Sequence, residues 1–198
     1  MMQEILQQTS WQEWLGVFFS IFQVLLARKN NSNNYLFGIA GISLSLYVMM
    51  QSKLYAEFTL YLYYLVMSIY GWLYWKFGKR QSETTISETN SQEKFITAGI
   101  VVGTFSLFWI CLTKFTDSDV PVVDSLVSAF AWAGMWLMAR RKIENWILLN
   151  ISNIIAIPLL IHKELYLYAG LTAFLFIVAI SGYFEWRKII KSKSLKVA

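Results

Sequence analysis

Apolar residues gather into seven runs along the chain, broken by short charged or polar stretches: 11–27, 35–51, 55–75, 95–113, 120–139, 143–161 and 165–186. Most hold 17–21 residues, and at about 1.5 Å per residue such a helix crosses roughly 30 Å of hydrocarbon. Lipid offers no partner to a free backbone amide, so each run is expected to be helical. The pattern predicts an all-α membrane protein with seven transmembrane helices running up and down. Composition agrees: 57% of residues are hydrophobic, 15% are charged and the mean hydropathy is +0.47. The first run lacks a basic start and a small-residue cleavage site, so it reads as a retained helix rather than a signal peptide.

The net charge of +5 need not mean nucleic acid, because the basic residues are segregated. With alternating helices, one face receives the loops at 28–34, 76–94 and 140–144 plus the C-terminal tail. That face carries 14 of the 17 basic residues, and the other carries Lys53, Lys114 and Lys163. Basic loops stay cytoplasmic. The expectation is a bacterial inner-membrane protein with its N-terminus outside and its C-terminus in the cytoplasm. No nucleic-acid partner is implied.

Shifting the chain by 111 residues against itself aligns Asn34 with Asn145, Leu54 with Leu165, Tyr55 with Tyr166, Leu60 with Leu171, Ile69 with Ile180, Gly71 with Gly182 and Trp75 with Trp186. A one-residue slip extends the match to Ala27-Arg28-Lys29 against Ala139-Arg140-Arg141. Helices 1–3 thus correspond to helices 5–7, with helix 4 left over, a 3+1+3 arrangement. One inverting helix makes the two bundles parallel repeats, with a site expected near mid-depth. The expected boundaries are 11–77 for the first bundle, 78–94 for a solvated cytoplasmic linker, and 95–114 for helix 4. The second bundle takes 120–188, and 189–198 form a basic cytoplasmic tail.

Enzyme chemistry is not supported. The only histidine, His162, falls in an outer loop, so neither a histidine base nor a metal cluster can be assembled. No glycine-rich phosphate loop is present. Cys111 is the only cysteine and is expected to be a small buried side chain. No cofactor is implied. Membrane lipid is the expected surroundings, and a homo-oligomer is compatible with apolar outer faces, although no GxxxG-type seam specifies one.

Polar and aromatic side chains inside the runs are the candidates for function. Trp146, Asn150 and Asn153 stand at i, i+4 and i+7, on one helical face. A carboxamide in hydrocarbon is costly unless hydrogen-bonded. Such residues either tie helices together or face a ligand. Their repeat mates, Ile39 and Ile42, show that the fold itself does not require the polarity. Pro158 on the same helix removes a backbone donor. Helix 5 offers Ser125, Ser128, Trp132 and Trp136, and helix 3 offers Tyr61, Tyr64, Ser68 and Trp72. Aromatic faces suit a delocalised cation, and an amide both donates and accepts. Gly71 and Gly182 are placed for close helix packing. Glu57 and Asp124, just inside apolar runs at the outer side, are candidates for gating or structure.

The stretches SIYGWLYW at 68–75, PVVDSLVSAF at 121–130, ARRKIENWILLNISNIIAIPL at 139–159 and GYFEWRK at 182–188 resemble the PnuC family of bacterial vitamin transporters, over about residues 11–188. The resemblance implies a full-length version of the SWEET fold and facilitated diffusion of a small-molecule vitamin, trapped inside by a cytoplasmic vitamin kinase. Its substrates are nicotinamide riboside, thiamine or riboflavin. It implies substrate contacts at Trp146, Asn150 and Asn153; Trp132, Ser128, Tyr61, Tyr64 and Ser68, from the stripes on helices 5 and 3, are expected around them. An amide at Asn153, where thiamine-type relatives tend to carry an acid, favours nicotinamide riboside. At 58–64, FTLYLYY has no glutamine where nicotinamide riboside members often have one; Tyr61 or Tyr64 stands there. A membrane scaffold that carries nothing is the reading from another class.

Overall fold

The structure, a computed structural model, describes residues 10–51, 55–77 and 85–197, without the side chains of 48, 49, 51, 55–60 and 193–197. The described residues form seven α-helices: α1 (Trp11–Arg28), α2 (Asn34–Gln51), α3 (Tyr55–Phe77), α4 (Ser91–Phe115), α5 (Pro121–Ala139), α6 (Asn145–His162) and α7 (Tyr166–Val197). Among the described residues, α4 to α7 each contain a stretch long and apolar enough to cross a membrane. Helix starts follow local chemistry. Ser10 and Glu13 form a reciprocal capping box on α1, and Asn90 and Glu93 form another on α4, satisfying amides that the first turn leaves free. Pro121 opens α5, where a missing N–H costs nothing. At 32 residues, α7 reaches roughly 48 Å at ~1.5 Å per residue, well beyond the hydrocarbon.

The chain divides into two compact units, one ending at Thr84 and one beginning at Thr85. In the first, α2 packs against both α1 and α3. Phe22 stacks on Phe37 with ring centroids 5.4 Å apart. In the second, α6 packs against both α5 and α7, and α4 packs against α5. Ser152 donates 2.8 Å to the carbonyl of Val127, and Gly134 lets Leu149 approach where a Cβ would sit 2.8 Å from it. Phe108 of α4 meets Trp132 of α5 edge-on at 5.3 Å. The leftover helix is therefore built into the second unit.

Within each unit the same details recur at the 111-residue offset. Both α1 and α5 end in a Schellman turn. Asn30 N–H donates to Ala27 O at 2.9 Å and Asn31 N–H to Leu26 O at 2.9 Å; Arg141 N–H donates to Met138 O at 3.0 Å and Lys142 N–H to Leu137 O at 2.9 Å. Asn30 and Arg141 both have φ 55°. The one-residue slip expected for this turn is absent, because the backbone geometry aligns Ala27 with Met138, not Ala139. Chance identity of Ala-basic-basic had suggested the slip. Beyond each turn an aromatic sits on a glycine. A Cβ on Gly71 would lie 2.5 Å from the Tyr35 ring, and one on Gly182 2.8 Å from the Trp146 ring. Tyr35 meets Trp75 edge-on at 5.1 Å, and Trp146 meets Trp186 likewise at 5.5 Å.

Two expectations about the polar parts change. The linker was expected to be solvated. Residues 78–84 lie outside the described residues, but Ile86 is buried and Ser87 pairs with Lys142 in an isolated parallel bridge. Backbone pairing and one buried isoleucine dock the stretch despite its polar composition. Cys111 is only half-buried, on a helix whose apolar span is mostly uncovered among the described residues. At the far end of the second unit, His162 pairs with Asp119 at 2.8 Å, and that hydrogen bond holds the Asp119 carboxyl below the usual carboxylate range.

Candidate functional site

Helix α6 begins where Asn145, fully buried, donates 2.5 Å from its carboxamide to the carbonyl of Lys142. Trp146 is 1% exposed, seated on Gly182 and bounded by Trp186, yet its indole Nε1 has no hydrogen-bond partner among the described residues. One turn on, the Asn150 carbonyl oxygen is likewise buried without a partner. Buried polar atoms are nearly always satisfied, so these two, a turn apart, are candidates for a polar ligand's partners.

Both residues line an open groove of about 400 Å³ between α6 and α7. Tyr183 and Phe176 of α7 form its other wall, with Ile154 and Phe184 at its edge. The volume falls within the ~300–1,000 Å³ typical of small-molecule sites. The surface the groove presents is apolar, with the Trp146 indole N–H and the Asn150 carboxamide oxygen buried beneath it.

The remaining sequence-selected residues are distributed more widely. Asn153 is half-buried on α6 but outside the groove lining. Trp132 is turned toward Phe108 of α4, and Ser128 is half-buried on α5. Neither lines the groove. Pro158 is exposed and α6 continues through it. Asp124 is held in an ion pair with Lys163 at 2.7 Å and accepts from Ser118 at 3.0 Å, so its described contacts are structural. In the first unit, Tyr61 and Tyr64 meet edge-on at 5.7 Å, and the buried Ser68 hydroxyl has no partner. Glu57 lies in α3, with its side chain outside the described residues. Sequence reasoning missed Tyr183 and Phe176. The signal was available for Tyr183, which stands 111 residues after Trp72 in a matched aromatic position.

Residues 10–188 match the model of a family described as nicotinamide mononucleotide transporter. The chain belongs to that transporter family. Among its relatives, it is 27% identical over 209 residues to a nicotinamide riboside transporter PnuC of Neisseria mucosa, covering 93% of this chain and 75% of that one. It is 26% identical over 186 residues to a protein of the same name from Haemophilus influenzae, covering 92% and 81%. To that of Escherichia coli it is 22% identical over 203 residues, covering 89% and 85%. It is also similar in fold to a crystal structure of the vitamin B3 transporter PnuC, with a TM-score of 0.74 and 23% identity, covering 95% of this chain and 86% of that one. Members of the nicotinamide mononucleotide transporter family are multi-pass membrane transporters, so the seven-helix chain is one too. Its groove is then a candidate for solute rather than for a reacting substrate.

Proposed function

We propose that this membrane protein imports nicotinamide riboside by facilitated diffusion, with the groove on α6 as part of its binding site. The observation that carries the reading is that Trp146 and Asn150 line one solute-sized groove, with the indole Nε1 and the carboxamide Oδ1 buried beneath its surface and unpartnered among the described residues. A pyridinium carboxamide supplies what they lack: its amide N–H₂ can donate to Asn150 and its carbonyl can accept from the indole. The positively charged ring suits the aromatic faces of Trp146 and Tyr183. Asn153, which the family resemblance also implies as a contact, lies outside this groove and is proposed to meet another part of the solute. The names of the relatives support the same solute.

Such a carrier needs no catalysis. It needs a site open to each side in turn and states of similar energy, so that binding does not become a trap. A 3+1+3 SWEET-like pair of parallel repeats, oriented with the C-terminus in the cytoplasm, provides the architecture. Phosphorylation of the solute inside the cell by a vitamin kinase makes net uptake one-way.

Titration of the purified protein with nicotinamide riboside and with thiamine tests the solute. The reading expects micromolar binding of nicotinamide riboside and at least tenfold weaker binding of thiamine. The reverse order would assign the protein to thiamine.

A further inference from the structure

Residues 85–93 read in sequence as a connector, and the basic cluster 140–142 as a topology signal. In the structure the two are engaged with each other. Ser87 N–H donates to Arg141 O at 3.2 Å, and Ile143 N–H donates back to Ser87 O at 3.0 Å. Thr89 N–H donates to the Glu144 carboxylate at 2.9 Å. Lys142 Nζ lies 2.9 Å from Glu93 and 3.3 Å from Glu88 O, and Arg140 is 3.5 Å from Glu93. Both ends of the Glu93–Lys142 pair are largely buried, with side chains 8% and 14% exposed. Ile86 and Ile143, 5% and 4% exposed, close over the backbone bridge.

The first unit supplies an internal control. Its α1–α2 hairpin makes the same turn hydrogen bonds, but with Asn30, Asn31 and Asn33 where the second unit has Arg141, Lys142 and Glu144. The hairpin therefore forms without those charges. Arg141 even occupies a φ of 55°, a region asparagine tolerates better than arginine. The charges at 140–144 match the docked segment instead.

We propose that residues 85–93 are a strap that fastens α4 to the α5–α6 hairpin throughout the transport cycle and positions the start of α6, with Glu93 and Glu144 as its positioning residues. The path is short. Glu93 holds Lys142, the Lys142 carbonyl accepts from the Asn145 carboxamide, and the next residue is Trp146. Glu144, immediately before α6, is held by the Thr89 amide. A strap closed in every state makes α4 to α7 one moving body. The positioning half rests on the reading of Trp146 and Asn150 as solute contacts; the fastening half does not.

Hydrogen exchange on the wild-type protein judges the fastening without any solute. The Thr89 and Ile143 amides should exchange at least tenfold slower than unstructured chain, and Glu93→Gln and Glu144→Gln should each speed them at least fivefold. Wild-type exchange at the unstructured rate would overturn the strap. Whether it stays closed is read in Cys111→Ala protein carrying Ser87→Cys and Lys142→Cys. Paired strands lie about 4.8 Å apart, within the ~4.4–6.8 Å that a disulfide spans between Cα atoms. Oxidised and reduced forms should carry nicotinamide riboside at rates within twofold. A tenfold loss on oxidation, regained on reduction, would show that the strap opens and would overturn the proposal.

Positioning predicts that Glu144→Gln raises the Kd for nicotinamide riboside at least threefold while maximal flux stays within twofold. An unchanged Kd with the strap amides exposed would remove the positioning role. If wild-type protein binds no nicotinamide riboside, the solute assignment and the positioning role resting on it fail, and hydrogen exchange still decides the fastening.

Discussion

Trp146 and Gly182 show how one missing methyl group shapes this protein. The indole occupies the space where a Cβ would stand 2.8 Å away, and the fully buried Trp186, one turn along α7, meets it edge-on. Adding that carbon must displace a buried ring, and overpacking of this kind costs about 1–3 kcal/mol. Gly182→Ala should therefore lower the thermal stability of purified protein, whereas Gly170→Ala, with nothing within 4 Å of its Cβ, should not. Equal melting temperatures for the two variants would contradict the packing account. The importance of Gly182 was legible in the sequence through its match to Gly71; what it packs against was not. The stripe of Trp146, Asn150 and Asn153 was legible too, but a stripe is a fan. At about 100° per residue, Asn150 leans ~40° to one side of Trp146 and Asn153 ~20° to the other. The groove opens on the Asn150 side, where Ile147, Ile151 and Ile154 also point. Periodicity gives a face, and only packing decides which edge of it meets the void.

At the scale of elements, the apolar runs predicted six of the seven helices to within a few residues, because hydrocarbon leaves the backbone no alternative, whereas α7 runs on to Val197 through residues expected as a tail. The repeat was equally readable through its shared endings. The behaviour of the polar segments was not, since an ion pair or a backbone bridge between residues some fifty positions apart leaves no periodic trace. Asp124 is a case in point. It was selected for standing just inside an apolar run, and it is held by Lys163 from the α6–α7 turn at 2.7 Å. Such partly exposed pairs contribute up to about 1 kcal/mol. Asp124→Asn should lower the melting temperature modestly and leave the affinity for nicotinamide riboside within twofold. An affinity loss of tenfold at unchanged stability would make Asp124 a solute contact instead.

For the whole molecule, orientation follows from charge. With alternating spans, fourteen basic residues fall on one face and three on the other, and the orientation we propose puts Ser192 and the strap inside and Thr116 outside. In Cys111→Ala protein in intact cells, Thr116→Cys should react with a membrane-impermeant maleimide and Ser192→Cys only after the membrane is opened. The opposite pattern would invert the topology and with it the direction assigned to the strap.

Transport itself is tested most directly by counterflow in vesicles, comparing wild-type protein with Asn150→Leu. Leucine is near asparagine in size but can neither donate nor accept, so folding should persist while the solute loses its amide partner. The account predicts saturable nicotinamide riboside exchange by the wild type and at least a tenfold loss in Asn150→Leu at near-normal folded yield. Undiminished exchange by that variant, or no exchange by the wild type, would contradict it.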